Sequence, residues 1–358
     1  MQYDLLIVGA GPAGATFARL AAKSGLSILL VDGQPLFPPK PCGGLLAPDA
    51  QKALAKAALF LPKKLLVDPQ IFSVRTLDLT RGLLRRYPRH YLNVDRQGFD
   101  RWLVSLVPPR VERVEGRAAE IRRTAKGFCV VLHGKDGEHI AECRMLVGAD
   151  GANSLVRRTF FGPLPNYYVA IQQWFSGGVS NPFYSCIFDE KTSESCSWSI
   201  CKDGSFLFGG CFKPKGCRAA FELQKKRFAP YPDFCFDGCV RTEACLALSL
   251  RRPKDFQTAK ENVFLIGEAA GFISASSFEG ISSALESGRL LAEAFLEQSQ
   301  PQKIAACYRR KTFPLRCRLT AKIIKRLFLY TPAAREAIMR SRIGSIRVPE
   351  ESQNQKKG

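Results

Sequence analysis

The chain opens with an apolar run, Leu5–Val8, that breaks at Gly9, and a second run, Ile28–Val31, that breaks at Asp32. Between them, Ala13 to Lys23 carries small and apolar residues at helical spacing, so the pattern predicts strand, glycine turn, helix, strand. The stretches 71–94 and 128–149 hold short β-type runs such as "FCVVL" and "CRMLVGAD". Similar runs, "YVAIQQWF", "FYSCIF", "SWSI" and "SFLFGG", fill 168–250. "NVFLIG" then reads as a buried strand, followed by the helical pattern "GISSALESGRLLAEAFLEQ". Residues 303–343 are helical in pattern, with Pro314 and Pro332 dividing them into two or three short helices. The polar end, 348–358, has too little apolar surface to pack and is expected to be disordered.

Composition narrows the class. The 358 residues allow two domains, or one α/β domain with a second lobe. An apolar share of 46% and a charged share of 24% belong to a globular chain rather than a disordered one. No apolar run approaches the roughly 20 residues that cross a bilayer. The start, "MQYDLLIVGA", lacks a basic leader region, so a cytoplasmic protein is expected. The 13 cysteines form no C-x-x-C pair, and only His90, His133 and His139 could complete a zinc site, so reduced thiols are expected and no metal.

Charge changes the picture at the C-terminus. Of a formal net charge of +21, more than half lies in 303–347, where 13 Lys and Arg face one acid, Glu336. Such asymmetry points to an anionic partner. Arg318, Lys322, Lys325 and Arg326 recur at helical spacing beside Ile323, Ile324, Leu327, Phe328 and Ile338. That make-up fits a helix resting on an anionic membrane at its inner face, or a core helix with a solvated cationic side. Nucleic acid is disfavoured, because the aromatic residues do not interleave with the charges as stacking platforms.

Gly9-Ala10-Gly11-Pro12-Ala13-Gly14 matches G-x-G-x-x-G in a strand–helix setting. The first glycine permits the turn, the second lets a pyrophosphate approach the backbone, and the third allows close helix–strand packing. Asp32 ends the second strand, where a carboxylate can accept ribose hydroxyls. Dinucleotide binding follows. Soon after comes "KPCGGLLAPDA", with Cys42 between a proline and two glycines. That thiol reads as a packed hydrophobe, a metal ligand, a redox group or a pocket wall. Three more segments stand out: "NVDRQGFDRWL" with Arg96 and a helix opening at Phe99-Asp100, "VGADGANSLVRR" with Asp150-Gly151, and "FLIGEAAGFISASSFEGISSA" with Gly267-Glu268.

In this order these segments resemble the FAD-dependent superfamily that includes p-hydroxybenzoate hydroxylase-type enzymes and the geranylgeranyl reductases. The resemblance covers residues 1–300. It implies an α/β fold: a Rossmann-type FAD-binding domain of the glutathione reductase and p-hydroxybenzoate hydroxylase kind, an inserted mixed β-sheet substrate domain and C-terminal helices. The expected division is 1–70, 91–165 and 255–300 for FAD, 71–90 and 166–254 for substrate, 301–347 as a basic helical region, and 348–358 as the tail. The implied cofactor residues are Gly9, Gly11, Pro12, Ala13, Gly14, Ala15, Asp32, Cys42, Gly43, Gly44, Arg96, Ala118, Asp150, Gly151, Gly267, Glu268, Gly271, Gly280 and Ile281. Among them Gly267-Glu268 takes the place of a Gly-Asp pair that holds the ribityl chain in the family.

The "KPCGG" segment resembles the geranylgeranyl reductase branch, which implies that Cys42 sits beside the isoalloxazine and is a candidate catalytic group. The segments "KPCGGLLAPDA" and "GEAAGFISASS" are similar to the CbrA-like subgroup of oxidoreductases. Two departures stand out. The branch's Tyr-x-Trp-x-Phe-Pro-Lys lining reads "CSWSICK", keeping Trp198 and Lys202, and its flavin-side segment reads "SASSFEG", with Ala275 for proline and Phe278 for glycine. Trp174, Trp198, Phe206, Phe208 and Phe278 are the candidates for an apolar substrate wall. The implied activity is flavin hydride transfer to a carbon–carbon double bond of an isoprenoid or prenyl lipid. The other readings are an aromatic or lipid monooxygenase, and a flavin-bearing lipid-binding factor without turnover. NAD(P)H or a ferredoxin-like carrier is the expected electron donor, and no second G-x-G-x-x-G marks a separate NAD(P)H domain.

Overall fold

A computed structural model describes residues 2–33, 40–176, 184–231 and 233–347. The disordered tail expected at 348–358 lies outside the described residues. Two eight-stranded sheets organise the chain. In the first, Val263–Leu265, Gly137–Gly148, Gln2–Val8, Ile28–Asp32 and Glu112–Glu115 run parallel in that order. A hairpin, Arg117–Thr124 with Gly127–Gly134, joins the long strand antiparallel, and Ala259–Lys260 closes the far edge. Leu5, Leu6 and Ile7 are fully buried, as strands covered on both faces require. Helices Pro12–Ala21 and Ile281–Glu297 pack together on this sheet.

The second sheet runs Cys239–Leu248, Tyr167–Phe175, Ser205–Phe212, Ser197–Lys202, Tyr184–Phe188, Ile71–Asp78, Leu83–Asn93 and Leu45–Leu46. It is antiparallel throughout except where Tyr184–Phe188 meets Ile71–Asp78. Leu83–Asn93 crosses the boundary placed at residue 90, and Leu45–Leu46 reaches this sheet from within the 1–70 segment.

Local patterning accounts for most elements, with instructive exceptions. The helix expected to open at Phe99 begins at Arg96, because the Asp95 side chain caps it by accepting from the Gln97 amide at 3.0 Å. Residues 168–250, all β-like in pattern, contain the helix Cys217–Phe228. Its Phe221 and Phe228 join Phe175, Phe206, Phe208, Phe212 and Phe234 in a phenylalanine core on one face of the second sheet. The basic region forms three helices, Pro301–Lys311, Phe313–Tyr330 and Pro332–Ser341. Its prolines sit in first turns, where the missing N–H is no loss, so each starts a helix rather than kinking one. The inner faces of the first two helices, Ile304, Tyr308, Leu315, Leu319 and Ile323, belong to the main core.

Candidate functional site

A cavity of about 740 Å³ runs between the two sheets, with both inner helices ending at it. At one end lie Gly9, Ala10, Gly11, Pro12 and Ala13. Gly9 has φ +104°, a conformation only glycine holds without strain. A Cβ on Gly14 would come within 1.9 Å of the Gly9 carbonyl oxygen, and one on Gly288 within 2.5 Å of the Ala13 oxygen. These two glycines bring strand, helix and helix together. Gly11 differs: its φ is −65° and a Cβ there would meet nothing within 4 Å. Its bareness leaves open space at a helix N-terminus, as backbone approach by a pyrophosphate requires. Gly151, with φ +73°, is equally open and lines the same cavity. The first turns at Gly11–Ala13 and Gly280–Ile281 both face inward, so two helix dipoles favour negative charge here.

The expected cofactor residues separate into two groups. Gly9, Gly11, Pro12, Ala13, Cys42, Gly43, Arg96, Ala118, Asp150, Gly151, Gly267, Glu268, Gly280 and Ile281 line the cavity. Gly14, Ala15, Asp32, Gly44 and Gly271 stand behind that lining. Gly14 is packing, and Ala15 is fully buried core. Asp32 ends its strand between the lining residues Val31 and Gly33. Gly44 lies against the Val94 carbonyl and the Lys202 ammonium. Gly271 caps the 3₁₀ turn Gly267–Ala270 with φ +86°.

That turn is bolted from outside. Arg157 donates to the Ala269 carbonyl at 2.9 Å and to the Asp255 carbonyl at 2.6 Å, and the Ser287 hydroxyl accepts from the Gly267 amide at 2.9 Å. Burial lowers the Arg157 pKa to about 10. Asp150 accepts from Ser154 at 2.5 Å and from the Leu155 amide at 2.7 Å, fixing the next helix start, while burial raises its pKa. The longer side chain of Glu268 carries its carboxylate to the Leu248 amide at 3.0 Å and the Lys40 ammonium at 2.6 Å. It thereby ties the Cys42 loop to the second sheet.

Cys42 is half-buried, and its Sγ accepts from the Gly44 amide at 3.4 Å. Arg96 lies close enough to the thiol to feel it and pairs with Asp100 through two bonds of 2.9 and 3.0 Å. Burial works against that guanidinium's charge, but Asp100 outweighs it and the pKa stays above the ordinary value. Lys202 sits behind Gly44, donating to Asn93 Oδ1 at 2.5 Å and the Val94 carbonyl at 2.7 Å, and burial lowers its pKa to about 8.

At the other end the second sheet presents Trp198, Ile200, Cys211, Cys245, Ala170, Tyr184 and Tyr91, with Phe278 opposite. Three expected wall residues are elsewhere. Phe206 and Phe208 alternate with Leu207 and Gly209 along their strand, and this two-residue period sends both rings into the phenylalanine core on the far face. Trp174 also stays out of the lining: its indole donates to Glu243 at 3.3 Å and the Arg241 guanidinium covers its ring at 4.6 Å. Trp198 does line the cavity, pressed on Gly209, where a Cβ would come within 2.7 Å of the indole. Its N–H donates to Gln172 at 3.1 Å, and Gln172 donates to the buried Glu243 at 2.9 Å. Phe278 has φ +54°, a left-handed conformation that glycine would hold freely, and Tyr168 packs against its ring edge to face at 5.9 Å. Sequence reading also missed Tyr91, Arg89 and Glu279. Tyr91 donates to Glu279 at 2.6 Å and Arg89 reaches the same carboxylate at 3.1 Å, while burial and then Glu279 raise the tyrosine's pKa. Only the lone acid in "SFEG" signalled them.

A family model described as lycopene cyclase protein matches residues 4–180. Protein CbrA of Escherichia coli strain K12 is 44% identical over 356 residues, covering 96% of this chain and 98% of that protein. Protein CbrA of Escherichia coli O6:H1 is 44% identical, with 96% and 95% covered. Among solved structures, a geranylgeranyl bacteriochlorophyll reductase-like protein from Thermoplasma acidophilum superposes with TM-score 0.78 at 17% identity, covering 92% of this chain and 88% of that one. A probable FAD-dependent monooxygenase from Pseudomonas aeruginosa gives 0.66 at 19%, covering 92% and 96%. The fold is therefore that of the p-hydroxybenzoate hydroxylase-like flavoproteins, and the chain belongs to the CbrA family.

Proposed function

We propose that this protein is an FAD-dependent oxidoreductase that reduces carbon–carbon double bonds of an isoprenoid or prenyl-lipid substrate. One observation carries the reading: a single cavity joins a dinucleotide-type glycine turn to an apolar chamber walled by Trp198, Ile200, Tyr184 and Phe278. The open spaces at Gly11 and Gly151 and the two inward helix N-termini fit FAD. When bound, FAD supplies the electron pair as hydride, chemistry that no side chain here can provide.

The chain's own residues supply the rest. Gly9–Ala13 and Gly280–Ile281 would hold the cofactor, with Asp32 at the ribose and Cys42-Gly43 at the ring side. The apolar wall excludes water and orients an alkene. Tyr91 and Tyr184 line the cavity with phenols that, like any tyrosine, are protonated at neutral pH. They are the proton carriers we assign to the second alkene carbon.

The test is product mass after FAD-loaded protein meets unsaturated polyprenyl lipids and a reductant, with and without air. Products heavier by pairs of hydrogens, formed without oxygen, are expected. Products that gain oxygen only in air would replace this reading with a monooxygenase. An intact, reducible flavin with no product would replace it with a lipid-binding role.

A further inference from the structure

The outer face of helix Phe313–Tyr330 has no role in the cavity. At 100° per residue, Phe313, Cys317, Ile324, Leu327 and Phe328 form one stripe along it. Phe313, Ile324, Leu327 and Phe328 are 61, 54, 59 and 55% exposed. Four large apolar side chains laid open on one stripe are unusual for a water-facing helix. Cations border the stripe on both sides, Arg318 and Lys325 on one flank and Arg316 on the other. The next segment continues the pattern with exposed Ile338 and Ile343 beside Arg340 and Arg342.

We infer that this face is a docking surface for an anionic lipid bilayer, with the stripe at the acyl boundary and the cations at the headgroups. Charge complementarity selects that occupant. Apolar stripe and flanking cations together match the two layers of a membrane interface. Among the described residues, no helix is long and apolar enough to cross a membrane, so the contact is peripheral.

The same helix backs the cavity wall. Arg326 donates to the Tyr168 hydroxyl at 3.3 Å, Tyr168 packs on Phe278, and Tyr330 donates to the Ser276 carbonyl at 3.2 Å. These contacts leave the opposite side of the helix from the stripe, so docking would set the helix between the lipid and the Ser276–Phe278 side of the cavity. The inference does not depend on the chemistry proposed above, and its test involves no turnover.

The full-length protein is centrifuged with vesicles of phosphatidylcholine, with and without phosphatidylglycerol. Binding should require phosphatidylglycerol and fall as salt rises. Ile324→Ser with Phe328→Ser should weaken it by about tenfold or more, with an unchanged thermal melt because both side chains are exposed. Failure to bind phosphatidylglycerol vesicles, or equal binding by the double variant, would overturn the inference. A concentration-dependent dimer abolished by the same variant, without vesicle binding, would overturn it too and make the face a contact between copies.

Discussion

The two ends of the cavity achieve close approach by opposite means. At the glycine turn, closeness comes from side chains that are missing: Gly9, Gly14 and Gly288 let strand and helices touch through backbone alone. At the apolar end it comes from side chains that lock one another. Trp198 rests on Gly209 and is held through Gln172 by the buried Glu243, and Phe278 keeps a glycine-like φ under the Tyr168 ring. A backbone-built site tolerates almost no change. A site built from interlocked side chains can be retuned by substitution.

The sharpest way to break this contrast is Gly14→Val. A Cβ 1.9 Å from the Gly9 carbonyl cannot be relieved by rotating a side chain. The variant should lose about 3 kcal/mol or more of stability in urea unfolding and fail to retain FAD. Wild-type stability would mean that the helix can shift, and the turn would not be backbone-limited.

Lys202 tests the junction between the ends. The folded chain releases its proton near pH 8, while an unfolded lysine holds it to about 10.5. The unfolded state therefore binds more protons in that window, and folding stability gains as pH rises through it. Relative to Lys202→Met, the wild type should gain about 3 kcal/mol between those limits. A pH-independent difference between the two proteins would show that the ammonium is solvated.

At the apolar end the effects should be smaller. Gly209→Ala should push the Trp198 indole aside, costing about 1–2 kcal/mol and shifting its fluorescence. No shift would mean that the indole is not pinned. Phe278→Gly should change stability by less than about 1 kcal/mol, since relief of the left-handed backbone offsets the lost ring contact. A loss above about 3 kcal/mol would make Phe278 a core residue rather than an adjustable wall.

How much was legible in the sequence depended on the range of the interaction. Strand, turn and helix at Leu5–Asp32 rest on local periodicity and on glycines whose geometry is set by their neighbours, so the pattern alone predicted them. The three C-terminal helices and their charge were equally legible. Which aromatic residues reach the cavity was not. Phe206, Phe208 and Trp198 look alike as apolar β-residues, and only the pairing of strands and the helix Cys217–Phe228 decide which face is core. The meeting of Tyr91 with Glu279, 188 residues apart, and of Lys40 with Glu268, 228 apart, leaves no periodic trace. Local sequence determined the nucleotide-type turn and the basic tail, because each is written in residues close along the chain; the two-lobed α/β fold was implied only by the resemblance of motifs spread over residues 1–300. Tertiary structure alone decided which aromatic residues line the cavity, the meeting of Tyr91 with Glu279 and the exposed stripe, because burial belongs to a surface only after something has, or has not, packed against it.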